Sequence, residues 1–131
     1  MTGKKLLLIE DDKDTVRAMA VRLKSQGYDL VVASDAISAI STARKEKPDL
    51  IILDLGLPGG DGFVVIDRLR SNCELMTVPI IVVSARDPKY NEPLAIQAGA
   101  HAFFQKPFET TDLLSSILDA LNPSPAIRRE R

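Results

Sequence analysis

Tryptophan is absent from this 131-residue chain, cysteine and histidine occur once each, and aromatic residues make up only 5%. A lone Cys73 forms no internal disulfide, so a reducing cytoplasm is the expected setting. Cys73 itself reads as an ordinary residue near a helix end. No Cys/His cluster has metal-ligand spacing, and His101, with no Cys or Ser partner nearby, reads as a surface or strand-edge residue. Charge excess is missing as well: 17 basic residues face 18 acidic ones, a net charge of −1. That leaves no basic footprint for direct nucleic-acid binding. No apolar run approaches the ~20 residues of a membrane helix. No basic opening leads into a long apolar stretch, so no secretion signal is expected. Internal repeats and low-complexity segments are absent too. What remains is a length suited to one domain with a sizeable core.

The stretch that organises the rest is Asp49-Leu50-Ile51-Ile52-Leu53-Asp54-Leu55-Gly56-Leu57-Pro58-Gly59-Gly60-Asp61-Gly62. A short run of Ile and Leu lies between Pro48 and a glycine-rich turn, the pattern of a fully buried parallel strand. Asp54 closes that strand. In open α/β sheets the carboxyl edge of the strands is where ligands bind. The plainer alternative is an aspartate that only caps a turn.

Four further strands are predicted at 4–9, 28–33, 78–83 and 100–105, with the central one ending at Asp54. Helices alternate with them. The first spans 14–26, with Val16, Ala20 and Leu23 at helical spacing and Gly27 as its stop. The second runs to about Lys47 from a cap at Ser34 or Asp35, with Ala36, Ile40 and Ala43 on one face and Ile37 beside them. Asp61 caps the third, over 62–72, which buries Val65, Ile66 and Leu69. A short fourth helix is expected at 93–98, because Pro93 fits only a first turn, with Gly99 as its stop. The last covers 110–122, with Leu114, Ile117, Leu118 and Leu121 as its apolar stripe. Five strands alternating with five helices give a doubly wound, flavodoxin-like parallel sheet of order 2-1-3-4-5. Residues 1–122 are read as this domain, and 123–131 as a tail or the start of a linker.

In that topology Glu10 and Asp11, Asp54, Ser84 and Lys106 all stand at carboxyl ends of strands. Carboxylates crowded there repel one another unless a positive charge joins them. Oxygen ligands with open positions suit Mg²⁺, which is readily shared with phosphate oxygens. Lys106 adds a mobile cation and Ser84 a neutral donor. Stabilising a phosphoryl group needs little more from a protein. Asp54, facing these groups, is the natural acyl-phosphate nucleophile. Each residue also has a plain structural reading, as a helix-start acid, a cap or a surface lysine; Asp12 is read as a helix-start acid.

From 4 to 121 the chain resembles a response-regulator receiver domain of two-component signalling. The matching motifs are Leu8-Ile9-Glu10-Asp11-Asp12, Leu53-Asp54-Leu55-Gly56-Leu57-Pro58 with Asp61-Gly62, Val83-Ser84-Ala85, Ala98-Gly99-Ala100 and Lys106-Pro107-Phe108. The resemblance implies a phosphorylatable switch rather than an enzyme acting on other molecules. Asp54 would take a phosphoryl group from a phosphohistidine on a sensor histidine kinase or phosphotransfer protein. Asp11 and Asp54 would hold Mg²⁺ directly, Glu10 through water, and Gly56 through its backbone carbonyl. Ser84 and Lys106 would each meet a phosphoryl oxygen. Phe103 falls at the family's aromatic switch position, while Phe104 reads as core. Gly56 and Arg86 occupy positions that tune phosphoryl lifetime, and Lys106-Pro107 would be a cis peptide. A target protein or a C-terminal output domain would read the switch. The chain departs from the family pattern at His101-Ala102 and at Pro93, on the face often used for output.

Two other readings compete. A Mg²⁺-dependent aspartyl phosphohydrolase of the haloacid-dehalogenase kind also sets an aspartate at a strand end. It expects a second acid two residues on, where Gly56 stands, and a cap insertion. A phosphorylation-independent adaptor of the same fold would have lost an acid or the lysine, and none is lost. A flavodoxin is disfavoured because Glu10-Asp11-Asp12 would repel a bound phosphate.

Overall fold

A computed structural model describes residues 3–122. The expected tail at 123–131 lies outside the described residues. In chain order the elements are β1 (Lys5–Ile9), α1 (Lys13–Ser25), β2 (Asp29–Ala33), α2 (Ala36–Glu46), β3 (Leu50–Asp54), β4 (Gly56–Leu57), β5 (Gly60–Asp61), α3 (Gly62–Ser71), β6 (Ile80–Ser84), α4 (Pro88–Ala98), β7 (Ala102–Gln105) and α5 (Thr110–Leu121). Five strands pair in parallel in the order β2-β1-β3-β6-β7. Counting the strands of that sheet alone, this is the anticipated 2-1-3-4-5. The separate β4–β5 pair is a small antiparallel hairpin after Asp54, with Gly56 opposite Asp61. It was not anticipated, although the Pro-Gly-Gly-Asp run is its signal: Gly59 and Gly60 take φ of 84° and 151°, which glycine alone adopts freely.

Alternation along the strands divides the core into two layers. Leu7, Ile9, Ile51, Leu53, Ile80 and Val82 face one side, with Ala39 and Ala43 of α2 and Val65, Ile66 and Leu69 of α3. Leu6, Leu8, Leu50, Ile52, Ile81 and Val83 face the other, with Met19 and Leu23 of α1 and Leu113 and Ile117 of α5. Both faces of β1, β3 and β6 are therefore covered, which is why these strands read as unbroken apolar runs. Between their ends, β1, β3 and β6 present only apolar side chains to these layers. Every polar group of the central strands is left to gather at their ends.

Several element-level expectations need correction. Helix α4 begins at Pro88 rather than near 93: Asp87 caps it by accepting from the Lys89 N–H, and Pro88 fills the first turn. Pro93 is thus interior, where its missing N–H cannot serve the Lys89 carbonyl. Lys89 is exposed, so water can take that place. On α5 the stripe centres on Leu113 and Ile117, and Leu118 is 55% exposed. On α2 Ile37 is 78% exposed because Ala39 and Ala43, one turn apart, take the buried line. Of the two phenylalanines of β7, Phe103 is buried, whereas Phe104, expected in the core, is only partly buried against the other layer, beside the Phe108 ring.

Candidate functional site

The carboxyl edge begins where β1 runs out of apolar residues. Glu10 is buried although charged, at 1% exposure. Its Oε2 accepts the Asp12 N–H at 3.1 Å, and its Oε1 accepts from Lys106 Nζ at 2.7 Å. Asp11 is exposed. Asp12 caps α1 by accepting the Thr15 N–H at 3.0 Å, the helix-start role read from sequence. The Thr15 hydrogen bonds hold its carboxyl below the usual range.

One strand over, Asp54 is 8% exposed at the end of β3. Its Oδ1 accepts the Gly56 N–H at 3.2 Å, and its Oδ2 lies 3.4 Å from Lys106 Nζ. The ammonium thus bridges two carboxylates that come from strands 44 residues apart. At the end of β6 the buried Ser84 accepts the Arg86 N–H on its Oγ at 3.0 Å. The Ser84 carbonyl accepts the Lys106 N–H at 2.8 Å, which fixes where the lysine leaves β7. Lys106-Pro107 is a cis peptide.

The electrostatics follow from burial. Desolvation pushes the Glu10 carboxyl above its ordinary value, and the facing ammonium offsets only part of that. Burial would lower Lys106, but the Glu10 and Asp54 carboxylates outweigh it and hold the ammonium above its ordinary value. One cation therefore serves more negative charge than it balances. Carboxylate oxygens of Glu10, Asp11 and Asp54 lie within 4.8 Å of one another. An all-oxygen, anionic set of this kind fits a hard divalent cation.

The sequence-derived residues Glu10, Asp11, Asp54 and Lys106 converge, with Ser84 joined to them through the Lys106 backbone. Gly56 lies beside them in the hairpin. Phe103 stands back from the charges, in the core layer that also holds Leu53, Val82, Ala95 and Ala100. An ion pair escaped sequence reasoning: Arg86 Nη2 donates to Asp61 Oδ2 at 3.0 Å. Twenty-five positions separate the two, and Asp61 was already accounted for as a cap, so no spacing signalled it. A cavity of about 500 Å³ opens beside Lys106 and Pro107, between α1 and α5, with Met19, Leu23 and Phe108 in its walls.

The family model described as the response regulator receiver domain matches residues 6–118. The chain belongs to that family. It is 34% identical over 122 residues to the alkaline phosphatase synthesis transcriptional regulatory protein PhoP of Bacillus subtilis, a match covering 93% of this chain and 50% of PhoP. It therefore spans about half the length of that curated relative. Among solved structures, the BeF3-activated N-terminal receiver domain of Klebsiella pneumoniae RstA is 30% identical with a TM-score of 0.84, over 90% of this chain and 98% of that one. The receiver domain of a Pseudomonas aeruginosa sensor histidine kinase, solved with a magnesium ion coordinated in its active-site cleft, is 29% identical with a TM-score of 0.83, over 94% and 100%. In this receiver domain no helix of the described residues is long and apolar enough to cross a membrane.

Proposed function

We propose that this receiver domain works as a phosphorylatable switch in the cytoplasm. Asp54 accepts a phosphoryl group from the phosphohistidine of a sensor histidine kinase or phosphotransfer protein. The phosphorylated face then acts on a target protein or an attached output domain. The observation that carries this reading is the Lys106 ammonium, set 2.7 Å from Glu10 and 3.4 Å from Asp54 at the carboxyl edge of the sheet.

The chemistry needs positioning more than reactive groups. An Asp54 oxygen attacks phosphorus as the donor imidazole leaves with the electron pair of the broken bond. Lys106, tied by its N–H to the end of β6, can turn its remaining donors to a phosphoryl oxygen without moving its backbone. The Ser84 hydroxyl supplies a second, neutral donor. Burial of Asp54 and Glu10 keeps bulk water from screening these charges. Asp11 and Asp54 would hold Mg²⁺ directly, Glu10 through water and Gly56 by its carbonyl. Once bound there, the ion would offset carboxylate repulsion and hold a phosphoryl oxygen. Burial of Phe103 supports its reading as the inward form of a switch whose balance a phosphoryl group on Asp54 would shift.

Incubation with Mg²⁺ and a small phosphodonor, followed by intact-mass measurement and peptide mapping, tests the reading. One phosphoryl group on Asp54, absent in Asp54→Asn, is expected. An unmodified native protein, or an adduct of equal yield in Asp54→Asn, overturns it.

A further inference from the structure

Arg86 makes more use of its donors than any residue of the β6–α4 connection. Its backbone N–H holds the Ser84 hydroxyl oxygen at 3.0 Å. Its guanidinium reaches across to the other wall of the site, donating to Asp61 Oδ2 at 3.0 Å and lying 3.4 Å from the Leu55 carbonyl. The guanidinium carbon also stands 6.0 Å from the centre of the Phe63 ring, within cation–π range. Asp61 divides its carboxylate between two duties: Oδ1 accepts the Phe63 N–H at 2.8 Å and caps α3, while Oδ2 holds Arg86.

This clamp sits beside the phosphoacceptor. Asp61 is the register partner of Gly56 in the β4–β5 hairpin, and Leu55 is the residue next to Asp54. A Cβ added at Gly56 would meet nothing within 4 Å. The flank of Asp54 along the hairpin is thus open, because Gly56 has no side chain and the Arg86 guanidinium is held towards Asp61.

We infer that Asp61 is a positioning residue which, by restraining Arg86, leaves water a path to the phosphoryl group on Asp54 and so keeps the phosphorylated state short-lived. This rests on Asp54 being the phosphoacceptor. In the decay step a water oxygen attacks phosphorus, and the bond from phosphorus to the Asp54 oxygen breaks. The aspartate carboxylate leaves with the electron pair, a water proton passes to solvent, and inorganic phosphate is released. Released from Asp61, Arg86 has the doubly charged phosphoryl group as its strongest nearby partner, and its planar fork matches that group. A guanidinium laid over the phosphoryl oxygens fills the space at Gly56 and excludes the attacking water.

The test loads the full chain with a small phosphodonor and Mg²⁺, removes the donor, and follows the intact mass over time. Asp61→Ser is the informative variant, because serine keeps an N-cap oxygen for α3 but carries no charge. Its phosphoryl group is expected to decay on the order of threefold more slowly, the shift in Arg86 population set by losing a partly exposed ion pair. Asp61→Glu, which restores the charge, returns the decay towards the native rate. Arg86→Ala and Asp61→Ser/Arg86→Ala decay alike and no slower than the native chain. Unchanged or faster decay in Asp61→Ser overturns the inference, as does equal slowing in the double variant. Failure to load the native chain at all would instead overturn the phosphoacceptor reading, so the two failures are distinguishable.

Discussion

Helices α3 and α4 leave the same edge of the sheet, each from an aspartate cap, and differ by one residue in length, 10 against 11. Their anchoring is very different. Helix α3 buries Gly62, Val65, Ile66 and Leu69, whereas α4 buries only Ala95. The first turn of α3 lies against β3: the Gly62 N–H donates to the Leu55 carbonyl at 2.9 Å, and a Cβ at Gly62 would come within 2.5 Å of Leu55 Cα. Helix α4 carries Pro93 in its interior and leaves Tyr90, Leu94 and Ile96 largely in water. The Asp54 side of the site therefore has a firm wall and the Ser84 side a soft one. The proposed switch would need both, since an element can respond only if its local opening costs little.

The largest contrast is expected from truncating one apolar side chain on each helix. Ile66→Ala should cost about 2–5 kcal/mol, because the residue is fully buried and the layer around it cannot collapse to fill the void. Leu94→Ala, 52% exposed, should change stability by no more than about 0.5 kcal/mol. Denaturant midpoints of the two variants measure this. Comparable losses would show that α4 is held as firmly as α3.

A smaller contrast comes from two glycines. Gly62→Ala sets a methyl against backbone, which must shift, at about 3 kcal/mol. Gly99→Ala meets only the flexible Arg70 side chain, 2.8 Å away at Nε, and a φ of +115°; about 1–2 kcal/mol is expected there. A greater loss at Gly99 than at Gly62 would place the stiffer anchor at the end of α4, where Arg70 donates to the Gly99 carbonyl at 3.0 Å.

Removing the proline should narrow the difference between the helices. Pro93→Ala restores an N–H opposite the Lys89 carbonyl and relieves the ring's crowding of that turn. Stability should rise by about 1 kcal/mol, less than the full interior-proline cost because the unfolded chain also gains freedom. Hydrogen exchange over 86–98 should slow while α3 is unchanged. Faster exchange in that segment would mean that the proline stiffens α4 rather than loosening it.

The same contrast explains what was legible in the sequence. The central strands are covered on both faces, so their runs at 6–9, 50–53 and 80–83 could not be misread, and strand order then placed Glu10, Asp54, Ser84 and Lys106 at one edge. Helix α3 was read correctly because its buried residues are large and regularly spaced. Helix α4 was misread because its packing rests on one alanine, which leaves no periodic signal, and because a proline inside a solvated helix looks like a boundary. The stripes of α2 and α5 were legible in part for a related reason: Ala43 and Ile117 are buried as expected, but Ile37 and Leu118 are not. Apolar residues there continue round the helix, and only the sheet decides that Ala39 and Leu113 face inward rather than Ile37 and Leu118. The ordering of Phe103 and Phe104 lay beyond sequence too, since adjacent strand residues face opposite layers and both layers are apolar.

The smallest effect concerns the link between the two walls, the Asp61–Arg86 pair, and it is read through pH. Burial acts to raise the Asp61 carboxyl, but the Phe63 N–H and the Arg86 guanidinium outweigh it and hold the group below its ordinary value of 3.8. A depressed folded pKa contributes stability that is fully present above the unfolded value and lost as pH falls through the folded one. Asp61→Asn keeps a capping oxygen, so the charge alone is removed. At about pH 7 the variant should be slightly less stable than the native chain, by little, because both partners are partly exposed and water screens them. As pH falls from about 4 through the depressed folded value the native carboxyl takes up its proton, and the difference should shrink towards zero. The variant should also loosen 86–98 under hydrogen exchange at about pH 7 without loosening α3, since the cap remains and only the soft wall loses its tie. A stability difference unchanged between about pH 7 and about pH 3, or loosening confined to α3, would show that the pair serves the firm wall alone and that the β6–α4 connection is held by other contacts.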